Sequence, residues 1–217
     1  MTTPVTAAVR RLDAAVGGPH RRRVVVVLAA VLALDSADKA TVGTSATQLQ
    51  AGLHISHAQI GLLLTVTSLV GAVATVPFGV LVDRVCRTRL LAAAVGAWGV
   101  AMILSGVATG FVFLLLARVA LGAVVAVATP AIASLIGDYF APAERGRIYG
   151  FVLSGELVGA GAGFLVTGQF ALLSWRAPFF VLVLPGAFVC WLLVRLPEPE
   201  RGGAARLPAD GEQPDER

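Results

Sequence analysis

Charge is what this sequence has least of. Of its 217 residues only 14% are Asp, Glu, Lys or Arg, against roughly 25% in a soluble domain. The shortage runs from Val24 to Val194, so it is not one apolar patch on a soluble surface; a soluble enzyme and a disordered chain are both excluded. Cysteine occurs twice, as Cys86 in a basic loop and Cys190 inside an apolar stretch. No disulfide framework or metal-ligand spacing can be drawn from that pair, and neither a metal nor another cofactor is expected. Lysine occurs once, at Lys39. A Gly-Lys-Ser/Thr phosphate loop is therefore missing, which removes transport driven directly by nucleotide hydrolysis. The first twenty residues lack the apolar stretch and small-residue cleavage site of a signal peptide. The formal charge is +4 and the pI near 9.8, yet no basic–aromatic stripe of the kind that holds single strands is present, and nucleic acid is not an expected partner.

What is abundant is apolar length. Hydrophobic residues make up 57% of the chain and its mean hydropathy is +0.82. Six apolar stretches of about 20 residues each match what a helix needs to cross the hydrocarbon core of a bilayer. The reading is an all-α, polytopic membrane protein with spans near 24–49, 58–82, 90–109, 111–136, 147–169 and 177–195. Residues 1–21 form a polar arm, 22–196 the transmembrane domain, and 197–217 a charged Gly/Pro-rich tail expected to be disordered. Lys and Arg in short loops set orientation. Arg21, Arg22 and Arg23, the loop with Arg84, Arg87 and Arg89, the loop with Arg145 and Arg147, and Arg195 and Arg201 all fall on one side, whereas the opposite connections hold only Arg176. Both termini are expected in the cytoplasm, and the arginine-rich composition suggests a bacterial inner membrane.

A faint repeat runs through the spans. Leu69-Val70-Gly71-Ala72 recurs as Leu157-Val158-Gly159-Ala160, and Gly96-Ala97-Trp98 resembles Gly186-Ala187-Phe188 at nearly the same offset. Three spans per unit is odd, so the two units would be inverted relative to each other, a 3+3 inverted repeat.

Charges inside the spans are the candidates for function. Eleven apolar residues, Val24 to Leu34, precede Asp35; they rise about 16 Å, roughly half of a ~30 Å core. Asp35 and Asp38 therefore lie near mid-depth, where a charge costs several kcal/mol and faces a protein interior or a wet cavity. Helical spacing puts Asp35, Asp38 and Lys39 on one side, with Asp35 and Lys39 in the favourable i,i+4 order. Glu156 lies about 13 Å into the fifth span and Arg118 about 10 Å into the fourth. If all five converge, three acids meet two bases, and the excess is relieved by protonation. The expectation is a substrate or proton pathway in which Glu156 or Asp38 carries a transported proton. Gly155, Gly159 and Gly163 recur at four-residue spacing, which lets another helix approach the fifth span closely.

The loop after the second span carries a resemblance. Gly79-Val80-Leu81-Val82-Asp83-Arg84-Val85-Cys86-Arg87-Thr88-Arg89 resembles the signature of the major facilitator superfamily, with Gly79, Asp83, Arg84 and Arg87 in place, Cys86 where a glycine stands, and Arg89 just beyond the final basic position. Arg118-Val119-Ala120-Leu121-Gly122 is similar to the signature of the fourth span, Glu144-Arg145-Gly146-Arg147 to the loop before the fifth, and Trp175-Arg176-Ala177-Pro178-Phe179 to the segment before the sixth. The Asp38-Lys39 pair is similar to the spinster-like branch. The resemblance implies a cytoplasmic gating loop in which Asp83 pairs with basic residues and meets a helix end of the other half, and a fold of twelve helices of which this chain resembles the N-terminal six. It further implies secondary active transport of a small organic solute or amphiphile by alternating access. Such a half needs a second copy in a homodimer, or a separate C-terminal six-helix half. The rival expectation is an inactive half-transporter acting as a membrane interaction subunit.

Overall fold

The computed structural model describes residue 13 and residues 16–202. The elements are α1 (Pro19–Thr44), α2 (Ala46–Leu53), α3 (His57–Val82), α4 (Arg87–Gly106), α5 (Phe111–Val125), α6 (Ala128–Tyr139), α7 (Pro142–Ala171) and α8 (Ala177–Val194). The first expected span is thus α1 continued by α2 with a turn at Ser45, and the fourth is α5 continued by α6. The second of these breaks has a covalent cause. Pro130 has no N–H and its ring collides with the carbonyl four residues back, which is that of Ala126. The chain turns at Ala126 and Val127, where Val127 N–H bonds to the Val124 carbonyl at 3.3 Å, before α6 resumes. Helix starts follow local chemistry too. Ser56 and Gln59 form a reciprocal capping box at the head of α3, and α7 opens on Pro142 with Glu144 in its first turn, the proline and acid that a helix N-terminus favours.

α3, α4, α5–α6, α7 and α8 are each long and apolar enough to cross a membrane by length and composition. α1 is as long as α3 at 26 residues, about 39 Å at 1.5 Å per residue. It differs by carrying Arg21, Arg22, Arg23, Asp35, Asp38 and Lys39.

The bundle is held by three main pairings: α1 on α7, α3 on α5–α6, and α4 on α8. Numbering the spans one to six, these are first with fifth, second with fourth, and third with sixth. Exchanging spans one to three with four to six turns the first pairing into the second and the third into itself, as an inverted 3+3 repeat requires. The repeated tetrapeptides sit at the matching contacts. A methyl on Gly71 would meet the Gly122 carbonyl oxygen at 3.4 Å, and one on Gly159 would meet the Ala33 carbonyl oxygen at 2.2 Å.

The α1–α7 contact is backbone on backbone. A Cβ at Gly155 would fall 2.2 Å from the Ala29 carbonyl oxygen, and one at Gly163 would fall 2.5 Å from Ala37 Cα. Thr44 and Thr167 hydroxyls then pair across the same interface at 3.0 Å. The core fills the space among α1, α4, α5, α6 and α8 with Leu28, Leu91, Met102, Leu114, Leu121, Leu135 and Phe179. α3 and α7 instead leave long apolar faces uncovered, including Leu69, Val73 and Val76 on one and Leu157, Phe164 and Leu165 on the other.

Gly159→Ala is expected to lose about 1–3 kcal/mol of stability, because an added methyl would force the Ala33 backbone away. Gly161→Ala, with nothing within 4 Å of its would-be methyl, is expected to be neutral or to gain up to about 1 kcal/mol from helix propensity. Unfolding midpoints of the two variants in detergent check the contrast.

Candidate solute cavity and charge networks

The five charges expected at mid-depth separate into two groups. Asp35, Lys39 and Glu156 line one open cavity of about 250 Å³, together with Leu32, Thr67, Ser68, Gly71, Thr75, Val125, Ala126, Ala128 and Thr129. Lys39 Nζ bonds to Asp35 Oδ2 at 2.5 Å. Glu156 makes no ion pair among the described residues. The hydroxyls of Thr67, Ser68, Thr75 and Thr129 carry no formal charge and blend into their apolar spans, so sequence reasoning passed over them.

Asp38 and Arg118 lie elsewhere, sealed inside the bundle at 2% and 1% exposure. Arg118 Nη1 donates to both Asp38 oxygens, at 2.8 and 3.1 Å. The guanidinium also stands 5.0 Å from the Phe179 ring centroid, and its Nη2 lies 4.0 Å from Met102 Sδ. Expecting Asp35, Asp38 and Lys39 on one side was too coarse. Each residue turns the helix by about 100°, so consecutive residues Asp38 and Lys39 point into different compartments and Asp35 falls between them on the cavity side. Met102 of α4 and Phe179 of α8 close over the sealed pair, where it costs desolvation as well as gaining attraction.

A second network closes the basic face. Gly79 has open space where a side chain would be, and Asp83, Arg84 and Arg89 are exposed. Arg87 is buried. It pairs with Asp138, donates to Ser134 Oγ at 3.0 Å and the Pro199 carbonyl at 3.1 Å, and pairs with Glu198 Oε1 at 2.9 Å. The Asp83 carboxylate makes no ion pair among the described residues; within this half the acids that reach Arg87 are Asp138 and Glu198. Glu198 also accepts from the backbone N–H groups of Arg87 at 3.0 Å and Thr88 at 2.8 Å. It thereby caps the first turn of α4, whose own N-cap, Cys86, offers no side-chain cap. Partial burial would raise the Glu198 carboxyl, but the bonds from Thr88 and Arg87 outweigh it and lower it from 4.5 to about 2. Arg201 bonds to the carbonyls of Asp83 and Val85, and Gly202 N–H to Asp138 Oδ1. Pro197–Gly202, the start of the stretch expected to be a disordered tail, is thus pinned to the bundle; residues 203–217 lie outside the described residues, as do residues 1–12 of the expected arm. Beside this network Glu144 pairs with Arg21 at 3.1 Å and Arg147 at 3.5 Å. Arg145 donates to the Gly137 and Phe140 carbonyls at the end of α6, the carbonyls a helix C-terminus leaves unpaired.

Sealed charges, an open cavity among α1, α3, α6 and α7, and a basic loop buttressed at one face are an arrangement that comparison with known proteins can test. Residues 28–214 match the Major Facilitator Superfamily. The chain belongs to that superfamily. Its six spans are half of a major facilitator fold. A bacterial homolog to the human lysosomal transporter Spinster, solved in an inward-facing and unoccupied conformation, superposes with a TM-score of 0.79 at 27% identity, covering 85% of this chain and 44% of that one. A probable L-galactonate transporter of Escherichia coli (strain K12) is 27% identical over 153 residues, covering 70% of this chain and 34% of the relative. A puromycin resistance protein of Streptomyces alboniger is 33% identical over 222 residues, covering 96% and 42%. The chain spans less than half the length of these relatives.

Asp38→Asn or Arg118→Met alone leaves a buried charge uncompensated and is expected to cost about 3–5 kcal/mol, whereas the double variant Asp38→Leu/Arg118→Met recovers most of that loss. Thermal unfolding of the singles and the double decides it; a double that loses as much as the two singles together would show that the two charges are uncoupled. For Glu198 the folded value lies below the ordinary one. Its contribution to stability is therefore complete above about pH 4.5 and is lost as pH falls toward about 2. Glu198→Gln is expected to flatten that part of the acid-unfolding curve, followed by tryptophan fluorescence.

Proposed function

We propose that this chain is one six-helix half of a secondary active transporter that moves a small organic solute or amphiphile by alternating access, coupled to protons. The observation that carries the reading is the cavity shared by Asp35, Lys39 and Glu156. Intramembrane ionisable groups around an open cavity mark solute and ion paths, and a bare scaffold has no use for a carboxylate there. Glu156 is the better proton carrier of the two acids considered, since Asp38 is engaged by Arg118 and closed to solvent. The names of the relatives, a galactonate transporter and a drug-resistance protein among them, support transport and leave the solute open.

One half supplies one wall. In this fold the two halves are parallel repeats about an axis along the membrane normal, and six spans is an even number, so a second copy inserted the same way can complete the path. The uncovered faces of α3 and α7 are where such a partner, a homodimer mate or a separate C-terminal half, would meet this bundle. The arginine-rich face holding Arg87, Arg145 and both ends of the described chain then faces the bacterial cytoplasm.

The test is proton movement in proteoliposomes carrying an internal pH dye, challenged with a panel of organic solutes, with the chain alone and with a coexpressed C-terminal half. Solute-dependent proton flux is expected from the wild type and not from Glu156→Gln. Flux unchanged by that substitution removes Glu156 from the path; no flux in either arrangement favours an interaction subunit over a transporter.

A further inference from the structure

Within the cavity one charge is left over. Lys39 and Asp35 neutralise each other at 2.5 Å, while Glu156, facing the same space from α7, has no cationic partner in the described chain. The remaining polar lining is hydroxyl, from Thr67, Ser68 and Thr75 on α3 and Thr129 on α6. Leu32 and Val125 supply apolar wall. An anion entering this space meets an uncompensated carboxylate, and the only lysine is already engaged. A small inorganic cation gains the carboxylate but forfeits hydration against leucine and valine. An organic cation gains both, because its charge is spread over a body that the walls can cover.

We infer that the cavity takes a monovalent organic cation with an apolar body, with Glu156 as its counter-charge. The inference rests on the preceding reading of the cavity as the solute path and adds the charge of the solute. One carboxylate cannot hold a proton and such a cation together, so binding the cation to a protonated Glu156 releases that proton to solvent, with charge conserved.

The experiment is equilibrium dialysis of the full chain in phosphatidylcholine nanodiscs, with empty discs as reference, against benzyltrimethylammonium and against benzenesulfonate, a pair of similar size and opposite charge. The expected result is saturable binding of the cation alone. Glu156→Gln should weaken it by about tenfold or more and Lys39→Met should tighten it severalfold, the directions that Coulomb's law gives for removing an opposite and a like charge. The Lys39 variant keeps the inference testable should the Glu156 variant fail to fold. Saturable binding of the sulfonate, cation binding indifferent to both substitutions, or no saturable cation binding would each overturn it. Because binding is read without flux, a chain that binds the cation and moves no protons overturns the transport reading alone. A chain that moves protons with an anionic solute overturns only the cation inference.

Discussion

The bond from Arg118 to Asp38 is the constraint around which the bundle is arranged. It ties α1 to α5, and the Met102 sulfur of α4 and the Phe179 ring of α8 close over the guanidinium, so four helices meet at one dry point. Taking both charges out of water is expensive, and a pair of this kind adds little net stability. What it adds is rotational definition. If α1 turned by one residue, about 100°, the Asp38 carboxylate would leave Arg118 and enter apolar packing. With Asp38 held, Asp35 and Lys39 fall on the cavity side of α1. The backbone-close contact of α1 on α7 then brings Glu156 to the same cavity from the other side.

Much of this was legible in the residues themselves. Apolar lengths located the helices of all six expected stretches to within about five positions, five of them long and apolar enough to cross a membrane, and the twin Leu-Val-Gly-Ala segments anticipated contacts that the structure places at equivalent sites, Gly71 near Gly122 and Gly159 near Ala33. The superfamily was legible because its loop signature depends on residue identities at fixed spacing. What spacing could not supply was azimuth. Asp38 and Lys39 are neighbours in sequence and separated by a helix wall in space, and no count of intervening residues says which wall is wet. That depends on which neighbouring helix is bulky, information carried by Phe179 some 140 positions downstream.

The basic face was harder to read, for a different reason. Glu198 sits among prolines, glycines and charges, a composition that by itself cannot bury enough apolar surface to order a segment. It is ordered by polar partners instead: two backbone N–H groups that the start of α4 leaves unpaired, and the Arg87 side chain. Such order is invisible to any window of sequence because donor and acceptor lie 111 and 110 residues apart. Asp83, expected to meet a helix end of the other half, makes no ion pair among the described residues. Asp138, one turn from Ser134 on α6, and Glu198, from the segment after α8, reach the Arg87 guanidinium, while Asp83 is exposed.

The interruption at Ala126 and Val127 places a joint in the fourth span at the level of the cavity, since Ala126, Ala128 and Thr129 belong to its lining. Pro130 has no N–H to give the Ala126 carbonyl, so the span is joined there by one backbone hydrogen bond fewer than an unbroken helix would have. Arg118 lies two turns away within α5, which is unbroken from Phe111 to Val125. The least regularly paired turn of the fourth span therefore lies beside the cavity, and the sealed Arg118–Asp38 bond lies on its regular part.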